Sequence, residues 1–202
     1  LVGTNYYFWP IMNTLIDTIT TDDSTYASKT AILKVSIGNA EVEYDTLGLV
    51  EGNTLNQFSM DEYNGYLRIT TTEGWWGEEI NNRLYILDEN LEIVSELEKL
   101  GKVGETIKST RFVGDYAYLV TFEQTDPFYV INVSDPENPV VEGELVIPGY
   151  SAYLQPLGED YILGIGYGDN DGGTNGLKIA IFDVSDKSNP VILGEEVIFD
   201  YA

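Results

Sequence analysis

Three short stretches hold the residue types that could meet a ligand. Asp169-Asn170-Asp171-Gly172-Gly173 sets hard oxygen ligands at alternating positions beside glycines that permit a sharp turn, the character of a calcium-binding loop. It lacks the spaced Glu that completes an EF-hand. The plainer reading is a polar hairpin loop in which Asn and Gly supply positive φ. Asp169 and Asp171 are therefore the candidate calcium ligands, and calcium is the one cofactor the sequence suggests. Trp75-Trp76 lies between Gly74 and Gly77, and Trp9 ends the run Tyr6-Tyr7-Phe8-Trp9. Their flat rings could stack on a glycan; the plainer reading is that they fill gaps between packed sheets, as large aromatics commonly do.

Catalysis would have to rely on carboxylates. The 202 residues include no His and no Cys, which removes Ser-His-Asp triads, thiolate nucleophiles, disulfides and the usual zinc sites. Glycoside hydrolysis needs two carboxyls held about 5–10 Å apart. Glu78, Glu79, Glu123, Asp126, Asp169 and Asp171 are candidates, but with 34 acidic residues such pairs arise by chance and a solvated acidic rim accounts for them. Asn132-Val133-Ser134 matches a glycosylation sequon but falls within a strand, where it is incidental.

The formal charge of −24 argues against nucleic acid and anionic membrane surfaces, which need Lys/Arg patches. The three arginines (Arg68, Arg83, Arg111) do not cluster in sequence, and no segment approaches the length of an apolar membrane span. The acidic excess fits a calcium-rich extracellular setting or simple solubility, with a halophilic surface as the third reading.

The elements that must position these residues come from a repeat. Tyr129-Val130-Ile131-Asn132-Val133-Ser134-Asp135-Pro136-Glu137-Asn138-Pro139-Val140 returns 51 positions later as Ala180-Ile181-Phe182-Asp183-Val184-Ser185-Asp186-Lys187-Ser188-Asn189-Pro190-Val191. Each copy is an apolar strand, a tight Asp/Asn-Pro turn and a second strand. Fainter copies turn at Asp88-Glu89-Asn90 and at Gly38-Asn39, giving hairpins centred near 38, 89, 136 and 187. The last three are each preceded by a second hairpin, turning at Asn64-Gly65, Gly114-Asp115 and Gly158-Glu159-Asp160. Two hairpins per unit give four strands, the make-up of a β-propeller blade.

The reading is therefore an all-β propeller segment of four-stranded antiparallel blades. Blades fall at about 54–100, 104–147 and 150–199, with a partial blade at 1–48 that lacks its first strand. A piece of a six- to eight-bladed ring is the first expectation and a closed four-bladed ring the second. Absent chain or a partner would have to cover the open edges of an arc. The loops between second and third strands all emerge on one face, and they carry Trp75, Trp76, Asp169 and Asp171, with Trp9 beside the first of them.

The run Asn56-Gln57-Phe58-Ser59-Met60-Asp61-Glu62-Tyr63-Asn64-Gly65-Tyr66-Leu67-Arg68-Ile69-Thr70-Thr71-Thr72 resembles secreted bacterial and archaeal proteins with a C-terminal β-propeller distantly related to WD-40 repeats. Leu84-Tyr85-Ile86-Leu87-Asp88 and the two Val-Ser-Asp-x-x-Asn-Pro turns fit the same pattern. The resemblance implies export and a propeller, and it brings no catalytic residues. The functional expectation is a non-catalytic binding or scaffolding module, secreted or at the cell surface, that engages a protein or glycan through that loop face. A carboxylate-dependent glycoside hydrolase and a purely structural envelope component are the alternatives.

Overall fold

The computed structural model describes residues 5–11, 28–38, 41–74, 80–122, 126–170 and 173–198. They form four antiparallel sheets, each a meander of consecutive strands. The first has three strands, β1 (Asn5–Ile11), β2 (Lys29–Gly38) and β3 (Glu41–Glu51). The second contains β4 (Met60–Tyr63), β5 (Tyr66–Glu73), β6 (Asn81–Leu87) and β7 (Ile93–Leu97). The third contains β8 (Thr106–Val113), β9 (Tyr116–Phe122), β10 (Asp126–Asn132) and β11 (Val140–Ile147). The fourth contains β12 (Tyr150–Pro156), β13 (Tyr161–Asn170), β14 (Gly173–Asp183) and β15 (Val191–Ile198). The all-β class and the four-stranded antiparallel blades expected from the repeat are what the chain adopts.

Local chemistry explains the hairpins. Asn64 (φ 51°) and Gly65 (φ 83°) make the two-residue turn between β4 and β5, where both central residues need positive φ. In the β10–β11 turn the Asn132 carboxamide oxygen accepts from the Ser134 N–H and hydroxyl, and Asp135 accepts from the Glu137 N–H and the Asn138 amide. Asp183 and Asp186 repeat these bonds with Ser185 and Ser188 in the β14–β15 turn. The sequon residue Asn132 is thus a turn-forming side chain, also donating to Glu142 at 2.9 Å.

The blades stack through their faces. On β9, Ala117 and Leu119 point toward the second sheet while Tyr118 and Val120 point toward the fourth, so this strand is apolar on both sides because it is covered on both. Ile32 and Val50 join Leu67, Ile69, Tyr85 and Leu87 between the first and second sheets. Leu84 and Ile86 join Leu119 and Ile131 between the second and third. Phe128 stacks on Phe182 at 4.6 Å between the third and fourth, and each such buried ring contributes about 2 kcal/mol of apolar transfer.

A second contact recurs at the outer strands. The last hairpin of each of the second, third and fourth sheets seats its turn on the last strand of the sheet before it. Ser95 on β7 donates to the carbonyl of Pro136 at 2.6 Å. Gly143 on β11 stands where a Cβ would overlap the carbonyl oxygen of Lys187 and come within 2.9 Å of Pro190 Cδ. Gly48 on β3 faces Leu91, whose Cβ would be 2.7 Å from an added methyl. Ser95 and Gly143 sit at matching places, opposite Ile86 and Val130 and immediately before a register shift in the ladder. The small residue makes the notch, and the bulge bends the outer strand around the incoming turn.

Candidate functional site

The ends of β5, β9 and β13 and the starts of β6, β10 and β14 share one rim. Glu73 closes β5 one residue before Gly74, and Trp75, Trp76, Glu78 and Glu79 lie outside the described residues. So do Glu123 and Asp171. Trp9 enters through its backbone, paired with Leu33 near the end of β1, and Asp169 likewise pairs with Thr174 next to the end of β13. Asp126 opens β10 opposite Ile147. The backbone therefore carries Trp9, Asp126 and Asp169 to the same end of their strands as the loop residues.

The described side chains at this rim form an aromatic row. Phe122, the last residue of β9, lies 4.7 Å from Tyr150, and Tyr150 lies 5.3 Å from Tyr167, centroid to centroid, all with tilted planes. Lys108 Nζ sits 5.9 Å above the Tyr150 ring. Phe122 and Tyr167 hold the same place in successive blades, each six residues after the tyrosine that opens its strand (Tyr116, Tyr161). On the second blade Arg83 gathers acids instead. Its Nε lies 3.0 Å from Glu96 and 3.2 Å from Glu98, and its Nη1 is 2.7 Å from Glu73 Oε2 without hydrogen-bond alignment.

Nearer the first strands, Arg111 is held between two rings. Its guanidinium carbon is 4.2 Å from the Phe58 centroid and 5.3 Å from that of Tyr153, and its Nε donates to the Leu154 carbonyl at 2.9 Å. Second, third and fourth blades are tied by this one side chain. The three arginines, unclustered in sequence, thus have three separate duties. The third, Arg68, is 2% exposed, bonds Asp61 at 2.8 and 2.6 Å, and donates to the Gly114 carbonyl at 2.6 Å.

Among the described residues the buried charges are all committed. Lys34 donates to the Glu89 carbonyl and pairs with Asp45; Lys178 donates to the Pro148 carbonyl and pairs with Glu195. Glu105 accepts from the Thr121 hydroxyl at 2.6 Å and the Lys102 N–H at 2.8 Å. A cavity of about 20 Å³ between Tyr63, Arg68, Asp115 and Pro136 has room for a water and for nothing the size of a sugar. Among the described residues no three acids stand together as a metal cluster would require.

Repeated antiparallel meanders stacked face to face, with the outer turns of the second, third and fourth seated on the sheet before, define a β-propeller. The chain belongs to the family described as the beta propeller domain, whose model matches residues 12–202. It is 49% identical over 163 residues to the uncharacterized protein MJ1554 of Methanocaldococcus jannaschii, a match covering 80% of this chain and 25% of that protein. An uncharacterized protein of Archaeoglobus fulgidus is 42% identical over 173 residues, covering 86% of this chain and 26% of that one. The chain thus spans about a quarter of the length of the curated relatives it matches. Among solved structures, a subtype N10 neuraminidase-like protein of A/little yellow-shouldered bat/Guatemala/060/2010 aligns with a TM-score of 0.47 at 9% identity, over 88% of this chain and 63% of that one. That alignment is too distant to carry anything about activity.

Proposed function

We propose that this chain is a non-catalytic binding or scaffolding module, secreted or at the cell surface, that engages a protein or a glycan through the rim bearing the loops between second and third strands. The observation that carries the reading is the commitment of the buried charges. Lys34, Arg68, Glu105 and Lys178 are the described lysine, arginine and acidic side chains that are buried, and burial of such groups is what chemistry often uses. Every one of them instead bonds a carbonyl, an N–H, a hydroxyl or an opposite charge that holds strands or blades together. A scaffold of this kind presents loops from a rigid base, which is how binding surfaces are commonly built. The aromatic row of Phe122, Tyr150 and Tyr167 and the cation of Lys108 add stacking surface along the same rim.

The test screens the chain against immobilised glycans and envelope proteins, and repeats it with Trp75→Ala, Trp76→Ala and, on the opposite rim, Glu137→Ala. The reading expects a ligand whose binding is lost in the tryptophan variants, kept in Glu137→Ala, and unaccompanied by a change in melting temperature. Binding that survives both tryptophan substitutions, or turnover of a glycan by the wild type, would sink it.

A further inference from the structure

The fourth sheet repeats the surface by which the third sheet holds its neighbour, but none of the described residues is seated on it as a blade. In the third sheet, Tyr118, Val120, Phe128 and Val130 face the fourth and are 1%, 0%, 0% and 0% exposed. The corresponding residues of the fourth sheet are Leu163 and Ile165 on β13 and Ile179 and Ile181 on β14. All four are apolar, and all four remain open to solvent to some degree, Ile181 by 37%. Tyr167 and Leu177 extend the same face and are exposed. Phe122 shows what Tyr167 is missing: the ring at that place in the third sheet rests on Tyr150 of the next blade.

The notch is present too. Gly194 pairs with Ile181 immediately before a register shift, as Gly143 pairs with Val130 and Ser95 with Ile86. Gly143 is filled by the turn carrying Lys187 and Pro190, and Ser95 by the turn carrying Pro136. A Cβ built on Gly194 would meet nothing within 4 Å. Apolar face and empty notch thus fall on one sheet in the arrangement that receives a blade at the junctions before it.

We propose that this face binds a further four-stranded blade of the same repeat, supplied by polypeptide outside residues 1–202, whose outer hairpin turn enters the notch at Gly194. About three quarters of each curated relative lies outside the matched stretch, which is chain enough to supply such units. The other two occupants are disfavoured by charge. The first sheet, of this chain or of a second copy, would bring its β2–β3 hairpin with exposed Glu41 and Glu43 toward exposed Glu195 and Glu196 on β15. Val42 and Tyr44 on that hairpin are each 67% exposed, so none of the described residues covers them in this arrangement.

Carbene footprinting, which labels exposed side chains, separates the three. The chain of residues 1–202 and the full-length gene product are labelled in parallel over a range of concentrations. The proposal expects Leu163, Ile165, Ile179 and Ile181 to label strongly in residues 1–202 at every concentration. In the gene product they fall to the level of Tyr118 and Val120, and Gly194→Trp there restores the label. Equal labelling in the two proteins overturns it. Protection in residues 1–202 that grows with concentration assigns the face to a second copy, and protection independent of concentration assigns it to the first sheet. Either result also overturns the proposal. If Gly194→Trp does not fold in the gene product, the wild-type comparison decides alone, with Gly194→Ala giving partial recovery of label.

Discussion

Arg68 shows how a charge can serve a sheet interface. It occupies the place that Tyr118 and Leu163 hold in the next two blades, and its three bonds satisfy the guanidinium as fully as apolar packing satisfies those residues. Replacing it with Met strands the Asp61 carboxylate and leaves the Gly114 carbonyl unpaired. Because the Asp61 side chain is 32% exposed and water can reach it, Arg68→Met should destabilise by about 1–3 kcal/mol, the cost of leaving partly buried hydrogen-bond partners unsatisfied. Urea unfolding measures this, and a loss under about 0.5 kcal/mol, the size of a surface substitution, would show that the pair contributes little. Titration gives a second expectation at this scale. Burial pushes the Tyr118 phenol up to about 12, and burial with neighbouring Glu96 and Glu144 raises Tyr85 and Tyr129 as well. A group whose folded pKa is raised contributes stability that is intact below its unfolded value, near 10, and is lost as pH climbs through the folded one. Melting temperature should hold up to about pH 10 and fall steeply toward pH 12, and Tyr118→Phe should blunt the fall. On the acid side, Asp135 is held low first by the Asn138 side chain, Asp183 by that of Ser185, and Asp88 by the Glu92 N–H. Their contribution is present at neutral pH and fades below about pH 4.

Among the elements, the outer hairpins decide most. Gly143→Ala forces a methyl against the Lys187 carbonyl and should cost about 1–3 kcal/mol, as overpacking of a fitted site does. Gly194→Ala, one repeat later, meets open space in this chain and should change stability by less than about 0.5 kcal/mol. Thermal unfolding of the two variants side by side checks the difference; equal effects would mean that the notch reads nothing but backbone preference. The hairpins themselves were legible from residues alone, because turn chemistry is local: Asn64-Gly65, Gly114-Asp115 and the paired Asp/Asn-Pro turns need only neighbours in sequence. The two-sided burial of β9 was legible for the same reason, since every residue from Ala117 to Val120 is apolar or aromatic. The row Phe122, Tyr150, Tyr167 was not. Its members lie 28 and 17 residues apart and meet only once blades are stacked, and Arg111 between Phe58 and Tyr153 is hidden in the same way. Tryptophans flanked by glycine, as at Gly74-Trp75-Trp76-Gly77, stand out along a sequence, whereas a tyrosine opening a strand looks like any other.

For the molecule as a whole, a formal charge of −24 on 202 residues means self-repulsion that only counter-ions relieve. Melting temperature should rise with sodium chloride over the range in which the Debye length falls from about 30 Å to about 8 Å. Calcium, proposed at Asp169 and Asp171, should raise it further at millimolar concentration than magnesium does, with the excess lost in Asp169→Ala and Asp171→Ala. A rise with salt and none selective for calcium would leave the acids as a solvated rim. Each of the three described apolar clusters joins one sheet to the next, so stability grows by unit and by junction, with Phe58 and Tyr153 meeting at 5.6 Å beside Arg111 as the described link between second and fourth blades. The notch at Gly143 and the turn that fills it have a consequence for ancestry. Each of the last two repeats carries on one 51-residue stretch both the turn that it inserts and a small residue at the notch position, filled at Gly143 and open at Gly194. A gene segment of that length, copied in tandem, would encode a blade already matched to its neighbours on either side. Copy number could then change by recombination without any new interface having to arise by point substitution.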